Sequence, residues 1–313
     1  MSVRTPKPTQ DQLIALAVEL NVKGGVELLG RLDGGIDATM ELLRITDDSG
    51  RQRKVILRRY GEWIASKGRE HAVREVAILR LLITAGLPVS EPVWVDSRNT
   101  FQEPALVLEY IDGEPITRPE DEADWAHQMA GFLVSLHALP INPDVSALLE
   151  DNRAAIHRKY SSVTAAQSFS TLVDADRIWR AGVDAFTDAP IGDTAILHND
   201  LWLGNILWTG QKLKAVIDWE GASLGDPIWD LAYISMDLRL QGWDLGADEL
   251  VREYARESGR SLELLPLWTT HFLVQTFPAV EEWSPGLLEL GREDMTPEAV
   301  RRRHTELVEL YID

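Results

Sequence analysis

The sequence predicts an α+β protein of two lobes: a small β-rich N-terminal lobe with one main helix, and a larger α-helical C-terminal lobe. Three observations carry this expectation. Short apolar runs separated by glycine-rich or polar turns fill residues 26–108. The segment Glu109-Tyr110-Ile111-Asp112-Gly113 then breaks that pattern. Beyond it, apolar residues recur at three- to four-residue spacing through most of the remaining chain. The predicted boundaries are 1–108 for the first lobe, 109–114 for a hinge and 115–313 for the second lobe. With 313 residues the chain is long enough for two cores.

The elements follow in order. Leu13, Leu16, Ala17 and Leu20 fall at helical spacing. Residues 26–46 read as strand, turn and strand, because Asp33-Gly34-Gly35-Ile36-Asp37 places paired glycines, which accept positive φ, between apolar runs. After the polar turn Asp47-Asp48-Ser49-Gly50, the run Val55-Ile56-Leu57-Arg58 completes an antiparallel meander. Residues 69–85 form a helix whose inward face is predicted as Ala72, Val76, Leu79 and Ile83, with Gly86 ending it and Pro88 preventing its continuation. Strands follow around Val93–Val95 and Ala105–Leu108. In the second lobe, Trp125–Leu139 and parts of 144–190 read as helices. Two short strands follow around 205–208 and 214–217. Asp226-Pro227 and Thr296-Pro297-Glu298 each combine a capping side chain with proline at the first helical position. The last helix is predicted to turn Val300, Leu307 and Leu310 inward.

Composition narrows the function classes. The formal net charge is -19, with no basic patch, which argues against nucleic-acid binding. The acidity suits an amine-bearing ligand and equally a plain solvated surface. There are no cysteines, so disulfides, zinc–thiolate sites and thiol nucleophiles are excluded. The N-terminal MSVRTPKPTQ has no apolar stretch, and no run approaches the roughly 18 apolar residues of a membrane span. A cytoplasmic protein is the expectation.

The strongest local signal is His198-Asn199-Asp200-Leu201-Trp202-Leu203-Gly204-Asn205, followed by Val216-Ile217-Asp218-Trp219-Glu220. Phosphoryl transfer needs a carboxylate to orient a hydroxyl and accept its proton. It also needs oxygen ligands for Mg²⁺, which neutralises charge on the phosphates. Asp200 fits the base, and Asn205 and Asp218 fit the metal ligands. The protein-kinase catalytic loop likewise places asparagine five residues after its aspartate. His198 is expected to support the loop rather than to move a proton.

Arg58, at the end of an apolar strand, and Glu75, beside the buried face of the following helix, fit a cation that touches nucleotide phosphates and the carboxylate that pairs with it. Gly34 and Gly35 could cover the phosphates with backbone amides. The backbone groups of Glu109 and Ile111 at the lobe junction suit an adenine ring. Asp226 is expected to cap a helix, and Asp230 to anchor the catalytic loop. Glu281 and Glu282 are candidates to bind an amine, against the plainer reading of exposed charges near a helix end.

In their order, these segments resemble the aminoglycoside phosphotransferase family, which is similar to choline and fructosamine kinases. The matching pieces are Gly34-Gly35, Val55 to Arg58, Arg74-Glu75, Leu106 to Gly113, Leu133 to Pro140, His198 to Leu207, and Val216 to Ala232. The resemblance implies a protein-kinase-like fold and ATP (or GTP) as phosphate donor. It also implies Asp200 as base, Mg²⁺ on Asn205 and Asp218, and Arg58 at the phosphates supported by Glu75. Branch features are mixed. Arg58 and His198-Asn199-Asp200 look like choline kinases, Asp200-Leu201-Trp202 like fructosamine kinases, and Asp218-Trp219-Glu220 through Asp226-Pro227 like bacterial antibiotic kinases. The expected activity is O-phosphorylation of a small hydroxylated molecule. A metabolic kinase of choline, ethanolamine or a sugar-like compound, and a nucleotide-binding regulatory protein, remain as alternatives.

Overall fold

Alternation along the N-terminal strands sets which side chains meet which helix. In the computed structural model, which describes residues 5–32, 38–61, 68–161, 169 and 172–312, strands β1 (Val26–Leu32), β2 (Ala38–Thr46) and β3 (Gln52–Tyr60) form the expected meander. Strands β4 (Pro92–Val95) and β5 (Ala105–Glu109) complete a five-stranded antiparallel sheet of order β1-β2-β3-β5-β4. The Asp33–Asp37 turn, with Gly34 and Gly35, lies outside the described residues.

Because successive side chains point to opposite faces, Val55 and Leu57 of β3 enter one core with Leu43, Ile45, Phe101 and Val107. Helix α1 (Gln10–Glu19) adds Leu13 and Leu16 to that core and opens with a Thr9–Gln12 capping box. Arg58 and Tyr60 therefore lie on the other face, the side of helix α2 (Glu70–Thr84). Register pairs Arg58 with Leu106 and Leu57 with Val107 on β5.

The inward face of α2 is His71, Ala72, Glu75, Val76, Ile78, Leu79 and Leu82. Ile83 is 37% exposed, contrary to expectation. A 3.6-residue period carries the stripe from Leu79 to Leu82 and leaves the next position outside. Gly86, at φ 81°, closes the helix as predicted.

The chain divides into two units, residues 1–112 with 215–220, and 113–214 with 221–313. The second unit contains α3 (Glu122–His137), α4 (Pro143–Leu148), α5 (Arg153–Lys159) and α6 (Ala175–Phe186). It continues with α7 (Pro227–Leu240), α8 (Asp244–Ser258), α9 (Leu265–Thr276), α10 (Ser284–Glu289) and α11 (Pro297–Tyr311). Helix α7 is buried nearly all round, from Ile228 through Leu240, and forms the centre of this unit. Asp226 caps it through Ile228 N at 2.9 Å, with Pro227 at its first turn, as the sequence predicts. On α11, Val300 and Leu307 are buried, but Leu310 is 67% exposed; the buried stripe ends at Val308, where the helix reaches its last turn.

Short strands frame the loop of interest. The strands β7 (Ala195–Leu197) and β10 (Ser223–Gly225) pair antiparallel just before and after the candidate motif. A three-stranded sheet of order β6-β8-β9 joins β6 (Glu114–Pro115), β8 (Ile206–Thr209) and β9 (Lys212–Val216). Strands of two or three residues carry too little pattern to be read from sequence, and β6, β7 and β10 went unpredicted. Among the described residues, no helix is long and apolar enough to cross a membrane.

Candidate active site

In the second unit the segment after β7 leaves extended structure at once. His198 is fully buried, and Asn199 adopts φ 71°. That left-handed turn aims two successive amides at one carboxylate. His198 N donates to Oδ2 of Asp230 at 2.8 Å, and Asn199 N donates to Oδ1 at 3.0 Å. Asp230 is itself fully buried on α7, with His137 Nε2 at 3.4 Å. It anchors the loop as expected. The Asn199 side chain ties the turn to its far end, donating from Nδ2 to the Gly221 carbonyl and to Ser223 Oγ, each at 2.7 Å.

Asp200 follows and is half-buried. The Asn205 Nδ2 donates to the Asp200 backbone carbonyl at 2.9 Å and to its Oδ2 at 3.2 Å. Both belong to the loop that ends in the 3₁₀ turn Leu203–Asn205. Tyr233 of α7 donates its hydroxyl to Asp200 Oδ1 at 2.8 Å. Burial pushes the Tyr233 phenol well above its ordinary value, and the Asp200 charge adds to that, so it remains a donor. Both carboxylate oxygens of Asp200 are thus held by donors, which fixes the plane of the carboxylate. Beneath the turn, Asp237 Oδ2 accepts from Leu203 N at 3.2 Å and from Gln241 Nε2 at 2.9 Å.

The first unit holds a separate constellation. Arg58, 2% exposed, donates from Nη1 to Glu75 Oε1 at 3.1 Å. Its Nη2 reaches Asp218 Oδ1 at 2.7 Å and Glu220 Oε2 at 2.5 Å. Tyr60 donates its hydroxyl to the other Glu75 oxygen. Burial alone would lower the Arg58 guanidinium; Asp218 and Glu75 outweigh it and hold it well above its ordinary value. Burial raises Glu75, with Arg58 opposing. Arg74 joins the group by donating from Nη2 to the Glu220 carbonyl at 3.2 Å.

The predicted Arg58–Glu75 pair is therefore formed, with Asp218 on the same guanidinium, and Asp200 is joined to Asn205. At the junction, Glu109 N donates to the Glu91 carbonyl at 2.9 Å, and the Glu109 carbonyl accepts from Ser90 Oγ at 2.7 Å. A carbonyl has a second lone pair, so an acceptor remains there, with half-buried Ile111 following. Glu281 is bound by Arg301, including Nε to Oε1 at 2.7 Å, so that carboxylate already has a cation. Glu282 is exposed.

The donor chemistry fits Mg²⁺. Asn205 spends its Nδ2 on Asp200, which leaves its amide oxygen as the acceptor. Within the first unit, around Arg58, the three carboxylates Glu75, Asp218 and Glu220 exceed the positive charge even with Arg74 counted. Hard oxygen donors with surplus negative charge suit a hard divalent cation.

Sequence reasoning gave no role to Tyr233, Tyr60, Glu220 or Asp237. Tyr233 had one available signal: it lies three residues after Asp230 on the same helix, hence on nearly the same face.

Residues 31–265 match the model of the phosphotransferase enzyme family. Viomycin phosphotransferase of Streptomyces vinaceus is 29% identical over 204 residues, covering 59% of this chain and 70% of that protein. Among solved structures, the GDP complex of aminoglycoside 2'-phosphotransferase-IIIa superposes with a TM-score of 0.67 at 17% identity, over 97% of this chain and 100% of that one. An aminoglycoside phosphotransferase in ternary complex with ADP and hygromycin B gives a TM-score of 0.60 at 16% identity, over 95% and 97% of the two chains. The fold is the protein-kinase-like fold of these enzymes.

Proposed function

The chain belongs to the phosphotransferase enzyme family, and from that membership we propose that it transfers the γ-phosphoryl group of ATP or GTP to a hydroxyl of a small molecule, with Asp200 as the base. The observation that carries the assignment of Asp200 is its fixed carboxylate, held at Oδ1 by Tyr233 and at Oδ2 by Asn205 on a loop anchored by Asp230. A carboxylate so oriented can accept a hydrogen bond from an incoming hydroxyl without reorganising.

In the proposed reaction the acceptor hydroxyl oxygen forms a bond to the γ-phosphorus while the bond from that phosphorus to the β,γ-bridging oxygen breaks. The hydroxyl proton passes to Asp200 and then to solvent, and the nucleoside diphosphate leaves. Asn205 and Asp218 are the residues proposed to hold Mg²⁺. The ion would supply charge neutralisation on the donor phosphates. Arg58 is proposed to contact those phosphates with Glu75 setting its orientation. Gly34 and Gly35 are proposed to cover them with backbone amides. The Glu109 carbonyl and the Ile111 amide are proposed as the adenine contacts.

Nucleoside diphosphate release, measured over macrolides, aminoglycosides, a cyclic peptide antibiotic, choline and simple sugars, tests the proposal. Turnover on one class that falls by orders of magnitude in Asp200→Asn, while Mg–nucleotide binding persists, supports it. Nucleotide binding with no turnover on any acceptor would favour a regulatory protein. Near wild-type turnover in Asp200→Asn would remove the base assignment.

A further inference from the structure

Six of the eight tryptophans in the second unit are buried in its core: Trp125, Trp179, Trp208, Trp229, Trp243 and Trp268. The other two, Trp202 and Trp283, are half-buried, and both stand at the start of α10 beside the Asp200 loop. Trp202 lies two residues after Asp200, between Leu201 and Leu203, which are fully buried. Alternation sends its side chain away from the core those leucines enter. The indole is seated against backbone. A Cβ on Gly204 would collide with it, and one on Gly286 of α10 would lie 3.3 Å from the ring. Two glycines thus make room for a ring that hydrophobic burial does not otherwise explain.

Trp283 lies three residues before Gly286, at the turn into α10. Its ring is tilted 32° to that of Tyr233, with centroids 6.2 Å apart. Tyr233 in turn bonds Asp200 Oδ1. Its ring is backed edge-on by Trp229 and Phe272, at centroid distances of 5.5 and 5.3 Å. Half-buried aromatic rings from three segments (the Asp200 loop, α7 and the turn before α10) therefore gather beside Asp200: Tyr233 bonds it, Trp283 packs on Tyr233, and Trp202, two residues after Asp200, lies against Gly286. Of the carboxylates nearby, Glu281 is paired with Arg301 and Asp294 with Arg292 through bonds of 2.9 and 2.8 Å, while Glu282 is exposed. An amine-binding cluster of free acids is not what this wall presents.

We propose that Trp202, Trp283 and Tyr233 form the acceptor platform, and that the acceptor is a hydroxylated compound with an apolar ring face that stacks on these rings and brings a hydroxyl to Asp200. This rests on the phosphotransferase reading only for the use made of that hydroxyl. Aromatic walls recognise flat or CH-rich faces through dispersion and desolvation. They would select such a ring over a polycationic acceptor. A compact quaternary ammonium such as choline, which aromatic faces also attract by cation–π interaction, is the rival ligand that the titration sets apart.

Calorimetric titration without nucleotide tests the platform apart from turnover. The probes are a phenyl glycoside and a macrolide, set against choline and a polycationic aminoglycoside. At least one ring-faced probe is expected to bind the wild type more tightly than both cationic ones. Trp202→Ala and Trp283→Ala should each weaken it by about tenfold, with Trp202→Phe losing much less. Circular dichroism establishes that each variant is folded, and two independent tryptophans guard against one that is not. Tighter binding of the cationic probes, no binding of either ring-faced probe, or unchanged affinity in both alanine variants would overturn the platform. Ring-faced binding that depends on the tryptophans, but with no phosphoryl transfer to any acceptor, would instead sink the phosphotransferase reading and leave the platform standing.

Discussion

The Tyr233 hydroxyl donates to Oδ1 of Asp200 over 2.8 Å, from a helix whose preceding turn carries the loop anchor Asp230. One helix therefore both fixes the backbone of the Asp200 loop and orients the carboxylate that the loop presents. Removing the hydroxyl in Tyr233→Phe keeps the ring and its packing but leaves Oδ1 with one donor fewer. A hydrogen bond to a charged group is worth roughly 1.5–3 kcal/mol, so kcat is expected to fall by about tenfold or more. KM for nucleotide should stay unchanged. The acid limb of the pH–rate profile should move to higher pH, because a donor that favours the carboxylate has gone. A profile superposable on the wild type would restrict Tyr233 to packing.

Arg58 serves three carboxylates with two nitrogens, Nη1 toward Glu75 and Nη2 toward Asp218 and Glu220. Lysine keeps the charge but offers a single ammonium in place of the planar fork. Arg58→Lys should weaken Mg–nucleotide binding by about tenfold while the protein stays folded. Arg58→Ala leaves the buried Glu75 without its cation and should cost about 3–5 kcal/mol in urea denaturation. Equal stability of Arg58→Ala and wild type would mean that Glu75 is neutral in the folded state.

Burial pushes Asp237 up to about 7, with Asp200 adding to the effect and the Leu203 amide and Gln241 opposing it. Between about pH 4 and pH 7 the folded state keeps a proton that the unfolded chain has lost. This group's contribution is thus present in full below pH 4, falls as pH rises toward 7 and stays lost above it, a swing of roughly 4 kcal/mol. In Asp237→Asn that dependence disappears. Thermal melts from pH 5 to pH 8 should show the variant gaining steadily on the wild type as pH rises, up to about pH 7. A constant difference across that range would place the Asp237 proton elsewhere.

How far the site could be read in advance follows from how local each interaction is. Asp200 and Asn205 are five residues apart within one loop, so their spacing alone brings them together. Arg58 and Glu75 sit on adjacent elements, where strand alternation and helix period together predict a meeting. Asp226 and Pro227 announce a helix start by a local hydrogen bond. By contrast, Tyr233 reaches Asp200 across 33 residues, and Arg58 reaches Glu220 across 162. No periodicity encodes those distances; they exist only once the loop and α7 have folded around each other, or β3 around residues 215–220. Ile83 and Leu310 failed for a different reason. Each continues an apolar rhythm beyond the point where there is anything left to cover it.

Asn199 separates backbone demand from side-chain bonding. Its φ of 71° is a conformation that glycine adopts freely and asparagine tolerates, whereas β-branched residues do not. The turn is needed so that the His198 and Asn199 amides both point at Asp230. Asn199→Gly preserves that geometry and loses two side-chain bonds, to Gly221 and Ser223, at about 1 kcal/mol each. Turnover on whichever acceptor proves active should then remain within a few-fold of wild type, with a modest loss of Tm. Asn199→Val loses the same bonds and must also hold a β-branched residue in the left-handed region, a further cost of about 1–3 kcal/mol. Strain of that size is relieved by moving the loop, which withdraws Asp200 from Tyr233 and Asn205. The expected outcome is a drop in kcat well beyond that of the glycine variant. Equal losses in the two variants would show that the side-chain bonds, and not the turn, position Asp200.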